Sequence, residues 1–191
     1  MVEGIRLANG ERQLVERCLA GEQAAMAELV ERFHSPVFGL AYRMLGHRHD
    51  AEDVSQESFV RALRSLRRWD RTRDLLPWLL AIAGNRCRTL LARRRRRPQG
   101  LAIVDQLTDV RPEPSTQHLA EEVRLGLTTL RPEYREAFLL FHDQQLSYEE
   151  IAQSLSKPLG TIKTWVHRAR RALIAHLRSR GVVEESAHAV P

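Results

Sequence analysis

Cysteine and aromatic residues are scarce in this chain. Cys18 and Cys87 lie far apart, with no CxxC spacing and no histidine cluster beside them. That argues against a disulfide framework and a structural zinc site, and fits a reducing cytoplasm. Aromatics make up 6% of 191 residues, and alternating β-branched runs are missing, so there is little from which to build a sheet. No apolar stretch approaches the roughly 18–20 residues that cross a bilayer. The opening MVEGIRLANGERQ lacks the apolar core of a signal peptide, so neither membrane insertion nor export is expected. A Walker-type glycine loop is absent as well, and no cofactor is implied. Lysine is nearly missing: 28 of the 30 basic residues are arginine, whose planar forks suit phosphates and guanine edges.

What remains is rich in Leu, Ala, Arg and Glu, residues that favour helix. The net charge of +6 is unevenly spread. Residues 61–97 hold thirteen arginines against Asp70 and Asp74, and residues 131–180 nine basic against five acidic side chains. Residues 11–60 and 98–130 are both net acidic. Two basic blocks with an acidic connector suggest two surfaces that meet a polyanion. The expected fold is all-α: two helical domains joined by a flexible linker, the second containing a helix-turn-helix.

Periodicity places the elements. Residues 1–10 read as a loose terminus within an N-terminal extension, 1–20, whose second half is helical up to the break at Gly21. A helix over 23–33 carries Met26, Leu29, Val30 and Phe33. Ser35-Pro36 reads as a cap followed by proline at a first helical position, starting a second helix to about Leu45. After a turn at 46–49, with Asp50 as the expected cap, DAEDVSQESFVRALRSL places Val54, Phe59, Ala62, Leu63 and Leu66 inward. Asp50, Glu52, Asp53, Gln56 and Glu57 then lie outward. Residues 64–76 are irregular and basic around Trp69. From Pro77, PWLLAIAGNRCRTLLARRRRR forms a helix whose arginines, with Trp69 and Trp78 nearby, combine a phosphate track with surfaces for stacking exposed bases. A Pro-rich acidic linker, 98–115, closes the first domain, 21–97. The second, 116–180, starts with Leu119, Val123, Leu127 and Leu130 inward, followed by a helix burying Tyr134, Ala137, Phe138 and Phe141. Residues 181–191 read as a tail.

The most informative stretch is SYEEIAQSLSKPLGTIKTWVHRARRAL, 147–173. Ser147 and Glu150 have capping-box spacing, Ser156-Lys157-Pro158 breaks the helix, and Ile162, Val166, Ala169, Leu173 and Leu177 step along one side of the next. The other side offers Thr161, Lys163, Thr164, His167, Arg168 and Arg171, a short basic helix that fits a major groove. An ordinary helical hairpin with a solvated basic face has the same pattern. For the acidic face three readings stand side by side: first-turn acids complementing the helix dipole, a docking face, or a metal-dependent nuclease site using Asp50, Asp53 and Glu57. The last lacks a second carboxylate-bearing element to form a concave site.

The order of these motifs resembles that of the extracytoplasmic-function (ECF) sigma factors, over roughly residues 21–177. LVERFHSPVFGLAYRMLG is similar to the family's opening helices, DAEDVSQESFVRAL to its polymerase-docking signature, and PWLLAIAGNRCRTLL to its promoter-melting helix. LRPEYREAFLL with the helix-turn-helix is similar to its −35-reading domain. The resemblance implies a non-enzymatic initiation subunit whose partners are core RNA polymerase and promoter DNA. It implies that Asp50, Glu52, Asp53, Gln56 and Glu57 meet the polymerase clamp, and that Asn85 contacts an unpaired −10 base with Arg86 and Arg88 on phosphate and Trp69 and Trp78 close by. It also implies that Lys163, Thr164, Trp165, His167, Arg168 and Arg171 belong to the −35 reader. Family members are often held by an anti-sigma protein that competes for the same faces.

This chain departs from the family pattern twice. The loop 71–77, RTRDLLP, lacks the usual glycine, and Thr164-Trp165 replaces the usual Ser-Arg. Trp165 is therefore free either to pack on its own domain or to meet a thymine methyl. The rival readings are a dimeric helix-turn-helix regulator independent of polymerase, the carboxylate nuclease, and an RNA binder using Arg93 to Arg97. Each leaves part of the chain unexplained.

Overall fold

The computed structural model describes residues 2–96 and 114–183, with side-chain environments for 10–96 and 118–183. The described residues form eight α-helices and no strand: α1 (Val2–Leu19), α2 (Gln23–Leu45), α3 (Arg48–Ser65), α4 (Leu75–Arg96), α5 (Pro114–Thr129), α6 (Pro132–His142), α7 (Tyr148–Ser154) and α8 (Leu159–Ser179). A single 3-10 turn, Leu66–Arg68, extends α3. The linker expected at 98–115 lies outside the described residues up to 113, and α5 already begins at Pro114. Arg97 and most of the tail are outside them too.

In the first helical group α2 packs against α3 and α4, with α1 along its side. Leu29, Phe33, Val37, Leu40 and Met44 follow one another at three- and four-residue steps and are all buried. That continuous stripe explains a departure from expectation. Residues 23–45 are one helix with Pro36 inside it, not two helices meeting at Ser35-Pro36. Proline removes one ladder hydrogen bond, but the same apolar face continues on both sides and keeps the segment in register. Gly46 ends α2 at φ 70°, its amide reaching the Tyr42 carbonyl at 2.8 Å, a left-handed cap that favours glycine. The turn is shorter than expected: α3 starts at Arg48, so Asp50 sits in its first turn and is not its cap. Helix α1 likewise begins at Val2, where a loose terminus was expected.

In the second group α8 is the spine, packed against α5, α6 and α7. The capping box is present: the Ser147 hydroxyl accepts from the Glu150 amide at 3.2 Å, and Glu150 accepts from the Ser147 amide at 2.8 Å. Ile162, Val166, Ala169, Leu173 and Leu177 are buried as their spacing requires. Helix α5 crosses α8 at Gly126, where a Cβ would lie 2.6 Å from the Leu173 Cδ1. Leu119, expected inside, is exposed.

The ends of that crossing are tied by charge. Glu122, only 3% exposed, accepts from Arg180 at 3.0 and 2.9 Å and faces His176 at 3.4 Å. The Arg180 hydrogen bonds hold the Glu122 carboxyl below the usual range. A depressed carboxylate stabilises the fold above its unfolded pKa, about 4.3, and that contribution is lost as pH falls through the folded value. Glu122→Gln should therefore be less stable than the parent at pH 7. Chemical denaturation followed from pH 7 to pH 3 should show the two stabilities converging as the medium acidifies.

The two groups share one core. Helix α6 lies against α2 and α4, α5 against α2, and α7 against α4. Within α6, Ala137 is buried as expected, but Tyr134, Phe138 and Phe141 are only half-buried, and Arg135, Glu136, Leu139 and Leu140 fill the fully buried face. Helix α6 is covered on two sides, by α8 and by the first group.

Candidate nucleic-acid interface

The recognition-helix prediction corresponds to the first four turns of α8. Lys163, Thr164, His167, Arg168 and Arg171 are exposed on one side, while Ile162, Val166 and Ala169 anchor the other. Thr164 returns its hydroxyl hydrogen to the Gly160 carbonyl at 2.7 Å. Trp165 is half-buried, tilted against Tyr134 with ring centroids 6.2 Å apart. It thus packs on its own domain with part of the ring still exposed. Tyr134 in turn accepts from Arg168 at 3.0 Å. The phenol, packed on the indole, thus ties the Arg168 guanidinium at the exposed face.

Asn85 stands exposed on α4, but its neighbours are engaged. Arg86 reaches Glu57 on α3 at 2.5 Å. Arg88 pairs with Glu136 of the second group, a carboxylate with no exposed surface. Burial lowers the Arg88 pKa from its usual value. Arg135 follows Glu136 into the same seam, donating to the carbonyls of Met44, Thr128 and Leu130. Burial first, then the charge of Arg95, brings its pKa down to about 10. Glu136 also lies directly over Gly84, in space that a Cβ would occupy. Arg43 and Asp143 close the seam from another side.

Trp69 departs from its expected role. It is 5% exposed, with its indole N–H directed at the Asp74 carbonyl at 3.5 Å, so it supports the loop from beneath and offers no face for a base. Trp78 is half-buried against the core. Arg93, Arg95 and Arg96 extend past Asn85 as exposed cations, while Arg94 pairs with Asp50 on α3.

The acidic face of α3 is likewise divided. Asp50 is held by Arg94 and lies 3.2 Å from His47, Glu52 pairs with Arg48 at 3.0 Å, and Glu57 is shared by Arg61 and Arg86. Burial raises the Glu57 pKa, but the two guanidinium hydrogen bonds outweigh it and hold the carboxyl below its usual range. Asp53, Gln56 and Val60 are exposed. Their i, i+3, i+7 spacing makes one stripe. Val60, 46% exposed, was not marked by the sequence pattern. The signal was its place between inward Phe59 and outward Arg61. Among the described residues no group of three or more His, Cys, Asp or Glu side chains is arranged to hold a metal ion.

Fold and surfaces together define an all-helical protein of two packed groups, one carrying an exposed polar and basic helix face and the other an acidic one. Residues 29–97 match the family described as Sigma-70 region 2, and residues 120–173 match Sigma-70, region 4. The chain is 32% identical over 182 residues to the ECF RNA polymerase sigma factor SigW of Bacillus subtilis, spanning 87% of this chain and 96% of SigW. It is 37% identical over 167 residues to the ECF RNA polymerase sigma factor SigE of Mycolicibacterium smegmatis, spanning 82% of this chain and 64% of that protein. Among solved structures, CnrH in complex with the cytosolic domain of CnrY superposes with a TM-score of 0.66 at 27% identity, covering 88% of this chain and 97% of CnrH. The chain belongs to the ECF RNA polymerase sigma factors.

Proposed function

We propose that this sigma factor works through three surfaces on two helical domains, 21–97 and 116–180. It docks on core RNA polymerase through the exposed stripe Asp53, Gln56 and Val60, with Asp50, Glu52 and Glu57 framing it. It anchors duplex DNA at −35 through Lys163, Thr164, His167, Arg168 and Arg171, while Trp165 supports that surface from within. It holds the melted −10 strand around Asn85, with Arg86, Arg88 and the exposed arginines of α4 supplying phosphate contacts. Opening draws on trapping unstacked bases and phosphates; the chain is not itself an enzyme, and it works beside polymerase in the cytoplasm.

The observation that carries this reading is the exposed side of α8, whose five polar and basic residues are backed by a fully buried apolar stripe. A dimeric regulator would also use that surface but would leave the docking stripe and Asn85 without a task. Run-off transcription with core polymerase on a promoter library tests the assignment. Sequence-specific starts that need both proteins support it, whereas specific duplex binding by the chain alone with no stimulated transcription refutes it.

Arg168 is the most exposed to a single-residue test. Tyr134 fixes one end of its guanidinium, so a bidentate contact with a base should contribute about 1–3 kcal/mol. Arg168→Ala should therefore weaken −35 discrimination by roughly 10-fold or more. A uniform loss across all −35 sequences would reassign Arg168 to phosphate.

A further inference from the structure

A cleft of about 260 Å³ opens on the seam, where the last turns of α4 meet the start of α6. Arg88, Ala92, Arg95 and Arg96 line it from α4, and Pro132 and Glu133 from α6. Arg88 is already paired with Glu136. Arg95 and Arg96 are exposed, and among the described residues neither has a hydrogen bond or an ion pair. Arg94, their neighbour in the chain, is by contrast held by Asp50.

The charge of this junction is unbalanced. Four guanidiniums, those of Arg88, Arg95, Arg96 and Arg135, share it with two carboxylates, Glu133 and Glu136. Arg135 is 5% exposed, and its Nε has no hydrogen-bond partner. Burial, and then the charge of Arg95, lowers its pKa, so the two cations repel each other across the junction. Helix α6 begins at the cleft without a side-chain cap, and the positive end of its dipole adds to the excess. Arginines at the end of a helix ordinarily complement its dipole, and Arg93 does so from outside the cleft. Arg95 and Arg96 differ because the second helical group closes a space beside them.

Space and charge together define a ligand. The cleft is smaller than the roughly 300 Å³ at which drug-sized molecules bind, so it suits a small anion. Guanidinium forks match phosphate oxygens in pairs. We propose that the cleft binds a phosphate-class anion, a free phosphate or diphosphate group, held by Arg95 and Arg96 with Arg88 in the wall. Because α4 and α6 both line the site, the anion meets its full set of partners only while the seam is closed. Binding therefore favours the closed arrangement. The phosphates of a nucleic-acid backbone carry the same chemistry, and the test separates the two sources. The site does not depend on the assignment of α4 to the melted strand.

Sodium pyrophosphate is titrated into the full-length chain at fixed chloride concentration, with the heat of binding followed by calorimetry. Saturable binding is expected, together with a thermal midpoint that rises with pyrophosphate concentration. Arg95→Ala and Arg96→Ala should each weaken binding by about tenfold. Both side chains are exposed and unpaired, so the fold should stay intact. Arg93→Ala, exposed on the same helix but outside the cleft, should leave the affinity unchanged. Glu133→Gln should tighten binding by roughly threefold, whereas Glu149→Gln, the same change of charge on α7, should not. Equal weakening by Arg93→Ala and Arg95→Ala would reduce the site to diffuse counter-ion attraction and overturn the proposal. The absence of saturable binding would do the same. If a single-stranded oligonucleotide binds through Arg95 and Arg96 while pyrophosphate does not bind, the cleft belongs to a nucleic-acid track and the free-anion site is wrong. Failure of the initiation reading would appear separately, in run-off transcription, and would leave the calorimetry unchanged.

Discussion

Arg88→Ala should detach the second helical group from the first. Its partner Glu136 has no exposed surface, and the Arg88 side chain is 28% exposed. Removing the guanidinium leaves a buried carboxylate beside Gly84 without its ion-pair partner. Breaking one side of a buried pair costs about 3–5 kcal/mol. One relief is parting of the seam, which rehydrates Glu136 but exposes apolar surface that α6 buries against α2 and α4; the other is protonation of Glu136. Small-angle scattering should show a larger radius of gyration, and the thermal midpoint should fall below that of the parent. Glu136→Leu combined with Arg88→Met should restore the compact state, because apolar replacement of a buried ion pair is often neutral or stabilising. A compact, unshifted Arg88→Ala protein would mean that Arg43–Asp143 and the Arg135 hydrogen bonds hold the seam alone. The same result bears on promoter opening. Arg88 cannot grip a phosphate while paired with Glu136, so under the proposed −10 contact DNA and the seam would compete for one guanidinium.

That competition was not legible in the sequence, and the reason is physical. Apolar periodicity identified the stripes Leu29–Met44 and Ile162–Leu177 because water rejects those side chains wherever they occur. It located the capping box because Ser147 and Glu150 satisfy each other locally. Arg135 and Glu136 obey a different rule: they are buried only because Met44, Arg88 and Gly84, far away in the chain, receive them. Nothing in EYREAFLL distinguishes a solvated Arg-Glu pair from one enclosed on every side. Glu11 and Arg12 are hidden for the same reason, as their partners lie some sixty residues downstream. A tryptophan in a basic loop has the same local pattern whether it stacks on bases or lies buried, as Trp69 does. A Ser-Pro pair signals a helix start only when the preceding turn has somewhere else to go, and before Pro36 the helix simply continues. The buried and exposed sides of α8 could be read from spacing, because one helix alone sets them, whereas the packing of Trp165 on Tyr134 depends on α6.

Charge reversal at Asp53 should have the largest effect on assembly. Asp50, Glu52 and Glu57 are each already answered by an arginine of this chain, so their charge toward a partner is largely offset. Asp53 is exposed on the same helix beside Gln56 and Val60, which makes it the anionic centre of the stripe. A partner complementary to it presents a cation next to an apolar contact, and Asp53→Lys turns that attraction into a like-charge clash costing several kcal/mol. Affinity for core polymerase should fall by roughly 100-fold or more, measured by competition against unmodified protein. Val60→Ala, which removes apolar area without altering charge, should weaken binding by a smaller factor that is insensitive to salt. Promoter-independent duplex binding by the isolated chain should be unchanged in Asp53→Lys, since α8 carries that surface. An Asp53→Lys protein that still competes fully for core polymerase would move the docking face elsewhere. The remaining candidates would then be the paired acids, whose arginines would have to release them on contact, and affinity would rise when Arg48 or Arg61 is removed.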